Sequence, residues 1–349
     1  CLANDADDLR ARLDRTLVAF TYDGKPVTAA LLKASGAMLA LLRDALHPNL
    51  VQTREGTPAL VHGGPFANIA HGCNSVLATR LALQVADWAI TEAGFAFDLG
   101  AEKFFDIKCT SAGLDTAAVV LVCTVRALKM HGGVAYADVK RPNVDAVVRG
   151  LPNLDKHIEN IQIFGESPVV ALNRFEGDSV EELAAIQRHC TELGVHCAVS
   201  DHFARGGAGA VNLAQTVMAH AEKRSRPFRP LYDWRDPVPE KVLAVAQKMY
   251  GARQVVFTKA AERDLAEIRR LGYEGLPICV AKTQSSLSDD PKLTGRPVAF
   301  DVTVRNVQIN AGAGFLVVLT GDILRMPGLP RQPLAEKIDL RRGDIVGMA

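Results

Sequence analysis

Net charge is almost absent from this sequence: 40 Lys and Arg stand against 39 Asp and Glu, leaving +1 over 349 residues. No run of five like charges occurs, which excludes the electrostatic footprint of a nucleic-acid surface or of a patch that docks on anionic membranes. The most basic stretch, Lys223-Arg224-Ser225-Arg226, is short, stops at Pro227 and reads as a solvated helix end. Apolar runs are short as well. The longest, Ala117 to Val125, has the length of a buried strand and falls far below the ~18 residues a bilayer demands. No basic segment followed by an apolar one opens the chain, so no secretory signal is read. The seven cysteines are an odd number without a Cys-x-x-Cys pair. That excludes a disulfide framework and fits free thiols in a reducing cytoplasm. Aromatic residues make up only 6%, so those that fall on polar loops stand out.

What is present is ordinary for a globular chain: 48% hydrophobic and 23% charged residues. A chain this long buries about three quarters of its unfolded surface and divides into two or three domains. Cys1 is not an initiator methionine, and the chain opens at an acidic helix start, Asn4 to Asp8, with no strand before it. An N-terminally incomplete piece is therefore expected, with a natural tail at Asp344 to Ala349.

Periodicity predicts a helix over 7–15, a strand at Val18 to Tyr22, a helix from Thr28 to Leu46, an irregular glycine-rich stretch from Glu55 to Ser75, and a helix from Val76 to Ala86. Strand and helix then alternate. Strands are expected at Trp88 to Thr91, Ala117 to Val122, Pro168 to Leu172, Val195 to Ser200, Val255 to Phe257 and Pro277 to Ala281. Helices are expected at Leu154 to Phe164, Val180 to Leu193, Ala208 to Lys223, Pro239 to Tyr250 and Ala260 to Leu271. Two late strands, Val298 to Gln308 and Phe315 to Thr320, read as an antiparallel pair. Such alternation implies an α/β fold with mostly parallel sheets and flanking helices. The units expected are 1–75, 76–172, 173–320 and a tail, 321–349.

Ligands of open α/β sheets bind beyond the carboxyl ends of the strands. Three phenylalanines occupy such positions: Phe95, Phe175 and Phe203. A flat aromatic ligand suits them, though each could equally plug its own loop onto the core. The glycine-rich run Val61 to Ser75 contains His62, Gly63, Gly64, Asn68 and Asn74 and leads into a helix, where backbone N–H groups can meet an anion or a carbonyl. An ordinary loop with a helix cap explains it too. It matches neither Gly-x-x-x-x-Gly-Lys-Ser/Thr nor Gly-x-Gly-x-x-Gly. The run Ala204 to Gly209 offers a second loop-to-helix turn for an anion. Lys282 begins a polar loop after a strand and is a candidate nucleotide or substrate contact. His189-Cys190 and His196-Cys197 imitate metal spacing, but one ends a helix and the other begins a strand, so no metal site is assigned.

Longer strings are more specific. VHGGPFANIAHGCNS from Val61, EAGFAFDLGAEKFFDIKC from Glu92, TVRALKMHGGV from Thr124, NLDKHIENI from Asn153, AKTQSSLSDDPKLTGRP from Ala281 and NAGAGFLVVLTGDILRMPGLP from Asn310 resemble the formate–tetrahydrofolate ligases along essentially the whole chain. The resemblance implies a P-loop-NTPase-like fold and an ATP-dependent ligase of one-carbon metabolism. It also implies tetrahydrofolate, formate and ATP as partners, Mg²⁺ and a monovalent cation (K⁺ or NH₄⁺) as cofactors, and a cytoplasmic homotetramer. It places the folate on Phe95, Phe175 and Phe203. It implies further that the family's phosphate-binding loop lies before the point where this chain begins, so that no catalytic residue is assigned. A non-catalytic folate- or nucleotide-binding fragment is the alternative. Two departures stand out: Phe203 where the family usually has Trp, and Glu176 where it usually has Pro.

Overall fold

The structure, a computed structural model, describes residues 1–223, 227–321, 323 and 331–347. Most of the basic stretch at Lys223 and parts of the expected tail lie outside the described residues.

Helix α1 (Ala6–Asp14) starts where Asp5 accepts the Asp8 N–H, and a hairpin follows, β1 (Leu17–Phe20) with β2 (Pro26–Thr28). The helix expected over 28–46 is cut short. Lys33 adopts a left-handed φ of 57°, which no continuing helix tolerates, so α2 spans only Ser35–Leu42. The stretch read as irregular holds half of a second hairpin, β3 (Asn49–Gln52) with β4 (Pro58–Val61), turned at Gly56 with φ 85°. Helix α3 (Val76–Val85) follows as expected, capped by Ser75.

The strand expected at Trp88 to Thr91 does not form. Trp88 and Ile90 are exposed and no neighbouring strand pairs with this segment, and an apolar run without a ladder or a buried face has no reason to be a strand. Next comes a segment that periodicity did not reveal: two stretches of wide, π-type turns, Phe97–Ala101 and Phe104–Cys109, closing in α4 (Thr110–Ala112) at the left-handed Gly113.

From there the alternation holds. Strand β5 (Val119–Cys123), α5 (Val125–His131), α6 (Val144–Ile163), β6 (Pro168–Asn173), α7 (Val180–Glu192) and β7 (His196–Ser200) build a three-stranded parallel sheet in the order β5-β6-β7. Helix α6 begins at Val144, capped by Asn143, rather than at Leu154; the internal Pro152 hides its first turns from a sequence reading. Residues Val125, Leu128, Val147, Leu154, Ile158, Val170 and Leu172 pack one core beneath this sheet. Short helix α8 (His202–Arg205) and α9 (Val211–Ala221) follow.

Helix α10 (Val238–Val245) runs on through a wide turn to Tyr250, and β8 (Gln254–Phe257), α11 (Lys259–Arg270), β9 (Ile278–Ala281), β10 (Asp301–Asn310) and β11 (Phe315–Thr320) complete a four-stranded sheet in the order β8-β10-β11-β9. The late pair β10-β11 is antiparallel as expected, and it is flanked by parallel β8 and β9. A last hairpin joins β12 (Asp339–Arg341) to β13 (Asp344–Val346). The protein is a multi-domain α/β fold of parallel sheets with flanking helices. Among the described residues, no helix is long and apolar enough to cross a membrane.

Candidate functional site

The carboxyl ends of β5, β6 and β7 lie side by side, with Cys123 level with Leu172 and Asn173 level with Ser200. Each strand delivers a different group to that edge. After β5, Thr124 caps α5 by accepting the Ala127 N–H at 3.1 Å, and this fixes Arg126 in the first turn. After β6, Arg174 donates its N–H to Ser200 O at 3.0 Å, and Phe175 and Asp178 close a turn on each other: the Phe175 N–H reaches Asp178 Oδ2 at 2.8 Å, and the Asp178 N–H reaches Phe175 O at 3.1 Å. The Arg126 guanidinium lies over the Phe175 ring, 4.2 Å from its centroid. After β7, Ser200 and His202 hydrogen-bond at 2.9 Å, and Phe203 projects from α8 with 86% of its surface exposed. A phenylalanine so exposed buries nothing in its own core, so the plug reading does not apply to Phe203. The structure thus brings Phe175 and Phe203 to one sheet edge.

The loop beyond Phe203 already meets an anion. The Glu55 carboxylate, at the tip of the β3–β4 hairpin, accepts the Gly207 N–H, and a side chain at Gly206 or Gly207 would sit 2.3 Å from its oxygens. The glycines of Ala204 to Gly209 therefore admit a carboxylate from the chain itself.

Phe95 has a different neighbourhood. No strand precedes it; it sits in the loop before the wide-turn segment, half exposed, with a left-handed φ of 64°, and its ring meets Phe66 edge-on at 5.5 Å. Strain of this kind in a non-glycine residue needs the surrounding chain to impose it. Here the cause is close backbone packing: a Cβ on Gly94 would lie 2.6 Å from Gly72 O, and one on Gly100 would lie 1.7 Å from Gly94 O. The glycine-rich loop and the Phe95 loop are stacked too closely for any side chain.

The polar residues of the glycine-rich loop serve its own architecture. His62 Nε2 meets Ala45 O at 2.8 Å, and its Nδ1 meets Ser75 Oγ at 2.7 Å. Asn74 donates to Leu60 O at 2.9 Å and accepts from the Ser75 N–H. Asn68 is fully buried. Gly63 turns with φ 72° against Cys1, while the position of a Cβ on Gly64 is open space.

Lys282 lies fully buried rather than on an open loop. Its Nζ is 2.7 Å from Asp98 Oδ2, an ion contact rather than an aligned hydrogen bond, donates to Thr283 O at 3.0 Å and to Ser286 O, and lies 5.0 Å over the Tyr250 ring. Burial lowers the lysine below its ordinary pKa, and Asp98 opposes this. Burial raises Asp98, but Lys282 and His157 outweigh it and leave the carboxyl net below its usual value. Nearby, Glu102 and Asp106 are both fully buried on the wide-turn segment. Burial, and then each other's charge, push Glu102 well above the carboxylate range, and burial pushes Asp106 up to about 7.

Sequence reasoning did not single out Arg126, Glu55, Asp98, Glu102 or Asp106. Arg126 lay within a quoted string, three residues past the end of β5, and strand-end position was the one signal that could have found it. His189 hydrogen-bonds Asp155 of α6, and the free Cys190 and Cys197 thiols lie against each other across α7 and β7. A family model described as formate–tetrahydrofolate ligase matches residues 1–349 of the chain.

Proposed function

The chain belongs to the formate–tetrahydrofolate ligase family, whose members are ATP-dependent ligases, and from that premise we propose that the carboxyl edge of β5-β6-β7 holds the folate, with Phe175 and Phe203 against the pterin and Phe95 closing the site from the glycine-rich side. The observation that supports this most is the exposed Phe203 on the same edge as Phe175, whose ring is backed by the Arg126 guanidinium. Formate attacks the γ-phosphorus of ATP, ADP leaves, and formyl phosphate forms. N10 of tetrahydrofolate then attacks the formyl carbon, the carbon–oxygen bond to phosphate breaks, and the N10 proton passes to solvent. Phosphoryl transfer of this kind depends on positioning and on neutralising charge. Mg²⁺ arrives with the ATP phosphates as part of that substrate. Among the described residues no three His, Cys, Asp or Glu side chains converge on a metal. Lys282 and the polar residues of Val61 to Ser75 already hold partners within the chain, and their candidate contact with nucleotide or substrate belongs to this proposal.

The reading is tested by ADP release that needs both formate and tetrahydrofolate, measured with Mg²⁺ and K⁺ present, together with tetrahydrofolate binding. Folate-dependent binding with ADP release supports the ligase. Binding without release supports a non-catalytic binding module, and binding of neither folate nor ATP refutes both. Replacing Phe203 or Phe175 by alanine should weaken tetrahydrofolate up to about tenfold and leave ATP unaffected. An unchanged folate affinity in both variants would move the pterin elsewhere.

Glu176 gives a further test. It occupies the second position of the Phe175–Asp178 turn, and Gly177 follows with φ 92°, the pattern of a type II turn in which proline is favoured at that position. Glu176→Pro is expected to stabilise the protein by about 0.4–1 kcal/mol and to tighten tetrahydrofolate, since it stiffens the loop and removes a carboxylate near an anionic ligand. An affinity that does not improve would dissociate this turn from the folate.

A further inference from the structure

We infer that Arg126 is the anion-recognition residue of this edge: laid flat on Phe175, it offers its free N–H groups to a carboxylate or phosphate oxygen of the bound substrate. The inference rests on the folate reading above and deepens it. Arg126 is half-buried and its Nε is shut off from solvent without an acceptor. Among the described residues, no carboxylate or carbonyl accepts from the rest of its guanidinium. Other arginines do find such partners: Arg253 pairs with Asp301 at 2.9 Å, Arg296 with Glu159 at 2.7 Å, and Arg149 reaches Gly132 O at 3.1 Å.

A guanidinium stacked on a ring keeps its planar fork of donors free for a second partner, and that fork matches an oxyanion in two parallel bonds. The stack also fixes the fork before the ligand arrives, so less ordering is left for the moment of binding. A second orphan marks the same edge. Asn173, the last residue of β6, has a side-chain oxygen that is buried without a donor. A buried donor on α5, laid against Phe175, and a buried acceptor two residues before Phe175 at the end of β6, both unsatisfied, are the complement of a ligand that brings an anion and an N–H together. Tetrahydrofolate has both side by side, in a glutamate carboxylate and the amide N–H next to it. ATP also has both, in its phosphates and its adenine amine. The oxyanion is common to the two, and the substrates themselves separate them.

The experiment is equilibrium binding of tetrahydrofolate, of tetrahydropterin (which carries no carboxylate) and of Mg·ATP to the full chain and to its Arg126→Met and Arg126→Lys variants. Loss of one charge-assisted contact corresponds to a weakening of about tenfold to a hundredfold. Arg126→Met is expected to lose that factor for tetrahydrofolate and nothing for tetrahydropterin, which assigns the oxyanion to the glutamate. Loss for Mg·ATP alone upholds the anion role and assigns it to a phosphate. Equal losses for tetrahydrofolate and tetrahydropterin would show that Arg126 only steadies the Phe175 ring, and would overturn the inference. So would unchanged binding of all three. A native circular dichroism spectrum and melting point establish that Arg126→Met is folded. If it is not, Arg126→Lys, which keeps the charge but loses the fork, is read instead and should show a smaller loss for the same ligand. Wild-type protein that binds no folate refutes the folate reading and this inference with it, whereas normal wild-type binding with indifferent variants refutes the inference alone.

Discussion

Replacing Lys282 by methionine is expected to cost about 3–5 kcal/mol of folding stability, read as a fall in the urea midpoint at unchanged slope. The side chain is fully buried, and its ammonium faces Asp98 at 2.7 Å, two backbone carbonyls and the Tyr250 ring. Methionine fills a similar volume, so little cavity is created. The loss comes from leaving Asp98 buried without its counter-charge and the Thr283 and Ser286 carbonyls without a donor. The double variant Asp98→Asn with Lys282→Met should recover part of the loss, because a neutral amide is far cheaper to bury than a lone carboxylate. If Lys282→Met costs less than about 1 kcal/mol, the pair's attraction and its desolvation cancel, and its role lies elsewhere.

That role would be geometric. Asp98 lies three residues after Phe95 in the wide-turn segment, while Lys282 opens the polar loop after β9. Within that loop Ser288 N–H meets Ser286 Oγ at 2.9 Å, and Asp289 takes the Thr303 N–H at 2.9 Å. One ion contact therefore joins the loop that presents Phe95 to the four-stranded sheet. Its loss should weaken tetrahydrofolate binding even in conditions where Lys282→Met is still folded.

How much of this the sequence disclosed depends on the kind of signal each residue leaves. Strands β6 and β9 were legible because buried parallel strands are short apolar runs, and β5, β7 and β8 share that composition although part of each is exposed. Trp88 to Thr91 misled for the reciprocal reason: its composition suits a strand, and only the absence of a partner, a tertiary fact, forbids one. The wide-turn segment was invisible because it holds no single period. Glu102, Lys103, Asp106 and Lys108 are all buried, whereas any pattern reading assigns such charges to solvent. Phe175 and Phe203 were placed at one edge by the strand-end rule. Phe95 was placed by the same rule after a strand that does not exist; only its resemblance to a family motif and its strained backbone now single it out. Lys282 was legible as a residue after a strand, but its burial was not.

The second large effect runs in the stabilising direction. Asp106→Asn is expected to leave stability at pH 5 nearly unchanged and to raise it at pH 8. Asp106 Oδ1 accepts the Leu231 N–H at 2.9 Å, which an amide oxygen accepts equally well, while Oδ2 and both Glu102 oxygens lack any other donor. The two carboxyls therefore satisfy each other only while at least one holds a proton. Unfolded, each releases its proton near pH 4. Folded, burial holds Asp106 up to about 7 and keeps Glu102 well above the ordinary carboxylate range. Between those limits the folded protein binds more protons than the unfolded chain, so its stability is full below about pH 4 and declines as pH rises through neutrality. The decline is on the order of 1.4 kcal/mol per pH unit for each extra proton held. Asparagine removes one of those protons and gives Glu102 an N–H donor, so the variant's stability curve should flatten across this window and lie above the wild type at pH 8. Thermal melts from pH 4 to 9 measure both curves. Parallel curves would mean that the pair does not share a proton in the folded state. A less stable Asp106→Asn at pH 8 would mean that the Asp106 charge is itself stabilised, and Lys248, the cation acting on it, would be the residue to replace next.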